Sequence, residues 1–368
     1  MGYTGTLLLY TFVVCIVPVW TEKAVRSERS FNRKIFTVLA ISLPCFLAAF
    51  RGNAGTDTRM YRNAYKTISS GLDYSARWVD FESGYIALNR ILGYFGLPFE
   101  ALMFVCQLIT FGFVFLAVRR MKDEIDVKLA MFIYMTMGHF ASYSMVRQAV
   151  AIAICLYAFS LLNDRPVFVF AAWVLAASLF HRSALICLGI IFVKFILQNR
   201  KMRIVQVAGV ITVIYLVFHR ELLGNIVYRI FRENYYASYF TRDTETSGSM
   251  VGFFIQNLPF FLFLLLGYEK MWEKNEKKIM IYFWTVIGGY CLLMLGKITE
   301  TQVQRIAYYF TYLDVFLFAW ICNGNMYLMG RKFPPRAGYY GFILFMLIQF
   351  YYNYFIRQYS YLVPYPGA

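Results

Sequence analysis

Charge is what this sequence lacks most. Only 15% of its 368 residues are Asp, Glu, Lys or Arg, whereas 60% are hydrophobic, and the mean hydropathy is +0.53. Water cannot be the main solvent of such a chain, so soluble globular, disordered and collagen-like classes are excluded. Histidine is nearly absent: His139, His181 and His219 are scattered without metal-ligand spacing, so no metal and no cofactor is expected. The seven cysteines (Cys15, Cys45, Cys106, Cys155, Cys187, Cys291 and Cys322) lie in or beside apolar stretches with no CxxC pair. They read as small core residues, which excludes a secreted disulfide scaffold. There is no P-loop, dinucleotide-binding glycine fingerprint, nucleophile elbow or HExxH. Linkers, low-complexity tracts and repeats are missing as well, leaving a single integral membrane domain over 1–368. The N-terminal stretch MGYTGTLLLYTFVVCIVPVW lacks a basic leader and is expected to be a retained first helix, not a cleaved signal.

What the sequence does have is apolar runs of spanning length, at about 3–20, 35–50, 98–118, 127–141, 144–162, 166–180, 183–197, 204–219, 251–268, 279–295, 304–322 and 337–357. The expectation is an all-α polytopic membrane protein of about twelve transmembrane helices with both termini outside. In that orientation the inner loops hold the larger share of the 36 basic residues, as the positive-inside rule requires. Two outer elaborations follow, an extracytoplasmic loop over 51–97 with amphipathic helices and a second over 220–250. Within the first, ESGYIALNRILGYF (82–95) is too short and too polar to span, and is expected as an amphipathic helix at the outer interface. The net charge of +16 does not point to nucleic acid, because the basic residues divide between two sides of a bilayer. On the outer side they are almost all arginine, Lys66 and Lys297 being the exceptions. Guanidinium holds phosphate oxygens through paired donors, so an outer, arginine-ringed site for pyrophosphate is the sharper reading, and snorkelling to lipid headgroups the plainer one.

Four segments concentrate the residues that are costly in a membrane. In RGNAGTDTRMY (51–61) two glycines permit a tight turn, and Thr56 or Asp57 can cap the helix that follows. Alternatively Arg51 and Arg59 hold an anion while Asp57 contacts sugar hydroxyls or accepts a proton. In YSMVRQA (143–149) Arg147 leads an otherwise apolar helix and so must face a cavity or a partner. In SLFHRSA (178–184) His181 sits beside Arg182 at a helix junction, as a base, a hydroxyl-orienting donor, a phosphate contact or a residue that merely satisfies backbone carbonyls. In KITETQVQRIAYYF (297–310) Glu300, Gln304 and Arg305 precede Tyr308 and Tyr309, which can share a helix face with the arginine. Aromatic rings beside polar groups suit sugar faces and membrane interfaces alike. Asp314, inside the same span, is expected to pair with a basic or hydroxyl group. The candidate sugar contacts are Tyr61, Glu82, Gln148, Tyr308 and Tyr309.

Taken in order, RGNAGTDTRMY, FESGYIALNRIL (81–92), VRQAVAIAI (146–154), AASLFHRSALI (176–186) and QRIAYYF (304–310) resemble the EpsG-type family of bacterial exopolysaccharide polymerases, a branch of the Wzy-like enzymes. The resemblance covers essentially the whole chain. It implies an inner-membrane glycosyltransferase with a GT-C-like helical core. Its donor and acceptor would be undecaprenyl-pyrophosphate-linked oligosaccharides, joined at the outer face without a metal for exopolysaccharide, capsule or O-antigen. Carried over by position, Arg51, Asp57, Arg147, His181 and Arg305 bear the activity, and Arg182, where many relatives have an aromatic residue, adds an anion contact. The lipid bilayer and a chain-length-determining copolymerase are the implied partners. A lipid-linked oligosaccharide flippase, an oligosaccharide ligase and a membrane acyltransferase are the rival classes. A flippase needs basic residues reachable from both sides, and an acyltransferase a histidine facing the cytoplasm.

Overall fold

The computed structural model describes residues 2–74, 81–198, 215, 250–273, 277–298 and 301–365. Apart from Tyr215 and Met250, the expected span at 204–219 and the outer loop at 220–250 lie outside the described residues, as do His219 and Glu300. The described chain is helical nearly throughout. Its helices are α1 (Tyr3–Arg26), α2 (Ser30–Ala49), α3 (Thr58–Ser69), α4 (Ser83–Tyr94), α5 (Phe99–Arg120), α6 (Val127–Tyr134), α7 (Val146–Leu161), α8 (Val167–Ser178), α9 (Gly189–Gln198), α10 (Met250–Glu273), α11 (Lys277–Ile298), α12 (Thr301–Thr311), α13 (Asp314–Cys322) and α14 (Pro335–Tyr351). In hydrocarbon every backbone N–H and C=O must be satisfied within its own segment, and apolar runs of this length do so only as helices.

Every apolar run within the described residues is helical, but the helices are shorter and more broken than twelve clean spans. Five are long and apolar enough to cross a bilayer, and six if α12 and α13, bent by 41° at Tyr312–Leu313, count as one. The run at 127–141 starts as α6, capped by the Asp126 carboxylate accepting from Leu129 N at 2.8 Å. It then widens into a π-turn, Met135–His139, and tightens into a 3-10 turn, Ala141–Tyr143. Polar groups in these two turns, Thr136, His139 and Ser142, are all buried. At 12 residues, α8 is about 18 Å long, short of a hydrocarbon core of about 30 Å. The expected non-spanning helix at 82–95 is α4.

The chain divides into two units. The first comprises described residues of Met1–Leu185, Phe318–Gly324 and Pro334–Ala368. In it α1 packs along α2 and α6, α5 along α2 and α7, and α7 along α8, while α3 and α4 pack on each other. Its core is aromatic, with Tyr10, Phe111, Tyr134, Phe140, Phe159 and Phe170 fully buried. Tyr10 Oη donates to Leu362 O at 2.9 Å and Tyr365 N to Thr6 Oγ1 at 2.8 Å, tying the last described residues to α1. At one end, the C-termini of α1, α5 and α7 meet through Arg26 Nη2 to Lys122 O (2.7 Å) and Arg120 Nε to Ser160 O (3.2 Å). The other end carries the C-termini of α2 and α8 and the N-terminus of α7, and holds the residues described below.

The second unit comprises described residues of Ile186–Leu317 and Asn325–Phe333. There α11 packs against α9, α10 and α12. Asp314 meets a hydroxyl, Tyr290 Oη donating to its Oδ2 at 2.9 Å. An antiparallel hairpin pairs Tyr327 with Lys332 and Leu328 with Arg331. It turns on Met329 and Gly330, whose φ values of 51° and 77° give the twist a two-residue hairpin needs.

Candidate functional site

The loop from α2 to α3 is pressed onto the turn that precedes α7. Gly55 has a φ of +98°, and a Cβ built there would lie 2.6 Å from Tyr143 O. Next to it Thr56 N donates to Ser144 Oγ at 3.1 Å. Only glycine meets both the left-handed backbone and the close approach. Gly55→Ala is therefore expected to lower the thermal midpoint and detach this loop, read as faster proteolysis or hydrogen exchange across 51–57. Asp57 occupies the N-cap position of α3, yet its side chain makes no capping hydrogen bond. Its φ of −98° and ψ of 2° depart from the extended conformation that aims a capping oxygen at the first turn.

Glu82 organises the other part of this end. It stands just before α4, where Gly84 N donates to Leu179 O at 2.9 Å and a Cβ on Gly84 would come within 2.7 Å of the same oxygen. That backbone contact lays the start of α4 against the end of α8. The chain past α8 turns into a 3-10 helix at Arg182, which presents His181 and the Arg182 N–H to the Glu82 carboxylate. Oε1 of Glu82 accepts from His181 Nδ1 at 2.9 Å and from Arg182 N at 3.1 Å. Oε2 accepts from Arg147 Nη1 in the first turn of α7. The Arg147 guanidinium lies 4.5 Å over the Phe81 ring, and Phe81, Tyr85 and Tyr61 form an aromatic wall with centroids 5.2 to 6.4 Å apart.

Burial pushes the Glu82 carboxyl up, but the His181 hydrogen bond, the Arg147 charge and the Arg182 N–H more than offset this, leaving it below the usual carboxylate range. Stability from this group is thus fully present above the pH at which an unfolded-chain carboxylate titrates, roughly 4, and is lost as pH falls through the lower folded value. Thermal unfolding followed from neutral to acid pH is expected to show this acid loss in the native protein and a flatter curve in Glu82→Gln. An ionised Glu82 only accepts, so the proton of a neutral His181 ring sits on Nδ1 and Nε2 carries the lone pair. His181 is the more accessible partner, its side chain 30% exposed against 7% for Glu82. One carboxylate thereby orients an imidazole and a guanidinium side by side.

Residues 34–366 match the EpsG family. The chain belongs to that family. No protein of curated function matches it, and no solved structure does. EpsG membership together with the apolar helices points to a membrane protein of the exopolysaccharide-polymerase type.

The remaining sequence-predicted residues of this EpsG-family chain fall into three settings. Arg51 is buried at 2% exposure, with Nη2 3.4 Å from both Thr58 Oγ1 and Met103 Sδ and the guanidinium 4.7 Å over the Tyr143 ring. Tyr61 and Gln148 are also buried, at 3% each, whereas Arg59 and Arg182 are exposed at the surface. Arg305, Tyr308 and Tyr309 lie on α12 in the second unit, with Tyr309 buried and the other two half-buried. Among the described residues no group of three His, Cys, Asp or Glu is placed to hold a metal. Sequence reasoning did not single out Phe81 and Tyr85 as partners of Arg147, nor Glu82 as the residue joining Arg147 to His181. The available signal was a carboxylate flanked by Phe81 and Tyr85 ahead of a short amphipathic helix.

Proposed function

We propose that this EpsG-family protein is a polymerase that joins undecaprenyl-pyrophosphate-linked oligosaccharide repeat units at the outer face of the bacterial inner membrane, for exopolysaccharide, capsule or O-antigen. The observation that carries this reading is the contact of one buried carboxylate, Glu82, with both His181 and Arg147. A hydroxyl of the acceptor sugar attacks the anomeric carbon of the donor chain, and the bond from that carbon to the pyrophosphate oxygen breaks. The hydroxyl proton passes to His181 Nε2, with Asp57 as the alternative acceptor, and the lipid pyrophosphate leaves with the bonding electrons. Arg147, backed by Arg59 and Arg182, neutralises the charge that develops on the leaving group, a task fixed guanidinium groups perform without a metal. Arg51 adds positive charge from a buried position. Tyr61, Gln148 and the α12 residues Arg305, Tyr308 and Tyr309 remain the candidate anion and sugar contacts.

In this reading the twelve apolar runs cross the membrane as a GT-C-like bundle with both termini outside, the shorter helices continuing through their π and 3-10 turns, and a copolymerase sets chain length. A strain lacking the protein is expected to accumulate outward-facing lipid carrying a single repeat unit. Inward-facing repeat units would mark a flippase instead, and full-length polymer without acetyl groups an acyltransferase.

A further inference from the structure

The hairpin of the second unit carries side chains that its own fold does not use. Tyr327 turns toward α10, with Lys270 Nζ 4.9 Å over its ring. Cross-strand partners share one face of a ribbon and neighbours along a strand alternate, so the Leu328–Arg331 pair looks away from α10. At the turn Met329 is 91% exposed with a φ of 51°, a left-handed conformation that glycine, asparagine or aspartate adopts at least cost. A long apolar side chain there costs conformational energy and buries almost nothing against the described residues. Leu328 beside it is 47% exposed. Arg331 and Lys332 follow, both exposed, and neither has a carboxylate at ion-pair distance among the described residues. The nearby acids are engaged, Glu269 with Gly330 N and Glu273 with Lys270.

The level of the hairpin along α10 is set by one of these contacts, Glu269 Oε2 accepting from Gly330 N at 3.1 Å. Glu269 stands between Tyr268 and Trp272, which are 41% and 40% exposed and whose rings lie 6.0 Å apart. α10 is long and apolar enough to cross a bilayer, and exposed tyrosine and tryptophan at the end of such a helix mark the headgroup layer. A two-stranded ribbon has open edges whose N–H and C=O groups need water, which keeps it out of the hydrocarbon. Fully in water, Leu328 and Met329 would stay bare. The headgroup layer meets both demands.

We propose that this hairpin is a lipid anchor: Leu328 and Met329 enter the boundary between headgroups and acyl chains, and Arg331 and Lys332 hold acidic phospholipid headgroups. Depth and charge favour lipid over a protein partner, because the apolar tip and the two cations lie at the level of the bilayer that surrounds α10. The hairpin takes no part in the proposed transfer of sugar, and the anchor holds or fails independently of it.

The test uses the full-length protein with Met329→Cys, labelled with a small polar fluorophore and reconstituted in phosphatidylcholine vesicles with or without phosphatidylglycerol. The signal of labelled protein lacking Met329→Cys is subtracted. The expected result is strong quenching by lipid nitroxides near the headgroup, weaker quenching by nitroxides near the chain end, and little by aqueous acrylamide. Phosphatidylglycerol should raise the lipid-exposed population, by up to about fivefold for each basic residue at low salt. Arg331→Gln combined with Lys332→Gln should remove that rise, and Leu328→Asp should return the label to acrylamide. Acrylamide quenching as strong as that of the free dye, the result expected of a tip that waits in water for a protein, would overturn the proposal. So would strongest quenching near the chain end, a phosphatidylglycerol response unchanged in the double variant, or an unchanged depth in Leu328→Asp, which would show the dye and not the hairpin seeking lipid.

Discussion

Arg147→Ala, in protein shown to be folded and inserted, is expected to slow chain extension by ~10²–10³, the usual loss when one donor to a developing oxyanion is removed. The residue stands in the first turn of α7, held by the Glu82 carboxylate and flattened on Phe81. Such fixing matters because a charge that need not reorganise during the reaction stabilises the transition state more than a mobile one. Arg147→Lys keeps the charge but loses the planar fork and the flat face that stacks on Phe81, so it should recover little of the rate. Removing Arg147 also leaves Glu82 partly uncompensated in a buried place, which itself destabilises. The rate must therefore be taken per folded molecule, and Arg147→Lys separates loss of charge from loss of geometry.

His181→Ala is expected to cost ~10²–10⁴ in rate, the range spanned by a positioned general base. If Glu82 acts through His181, as proposed, Glu82→Gln should also slow the reaction, because a neutral amide no longer stabilises the charged ring or holds the Nδ1 proton as a carboxylate does. The distinguishing result lies in the combination. In the His181→Ala background, Glu82→Gln should have a much smaller further effect than it has alone, since a positioning residue acts through the group it positions. Additive losses would assign Glu82 instead to direct contact with a sugar, as its place among the candidate sugar contacts implied. Polymer length and lipid-pyrophosphate release, measured in the same vesicles, read both effects.

The residues that sequence exposed most clearly were those that are expensive where they stand. Arg147 in VRQAVAIAI and His181 in SLFHRSA are polar groups at the ends of apolar runs, and hydropathy alone marks them. Glu82 was visible as a residue but not as a hub, because its partners Arg147 and His181 lie 65 and 99 positions away and only the packing of α4 on the end of α8 brings them together. Arg51 stands just ahead of a glycine-rich turn, and its burial accompanies the fit of Gly55 against Tyr143, a contact between segments nearly ninety residues apart that no local pattern encodes. The hydroxyl partner of Asp314 was legible as a type, because a carboxylate in an apolar helix needs a donor, while the identity of Tyr290 was not. Hydropathy located the apolar runs but could not show where they break. The π-turn at Met135–His139 and the 12-residue α8 are breaks in helix geometry, which a sliding average of hydropathy does not contain.

The most direct measurement is reconstitution of the purified protein in vesicles with one defined lipid-linked repeat unit and a chelator, scored for a ladder of products. The expected result is a ladder with stoichiometric release of lipid pyrophosphate from the wild-type protein and almost none from Arg147→Ala. A ladder of equal rate from Arg147→Ala, or no ladder from the wild type until a divalent metal is restored, would contradict the role given to the guanidinium group that Glu82 holds.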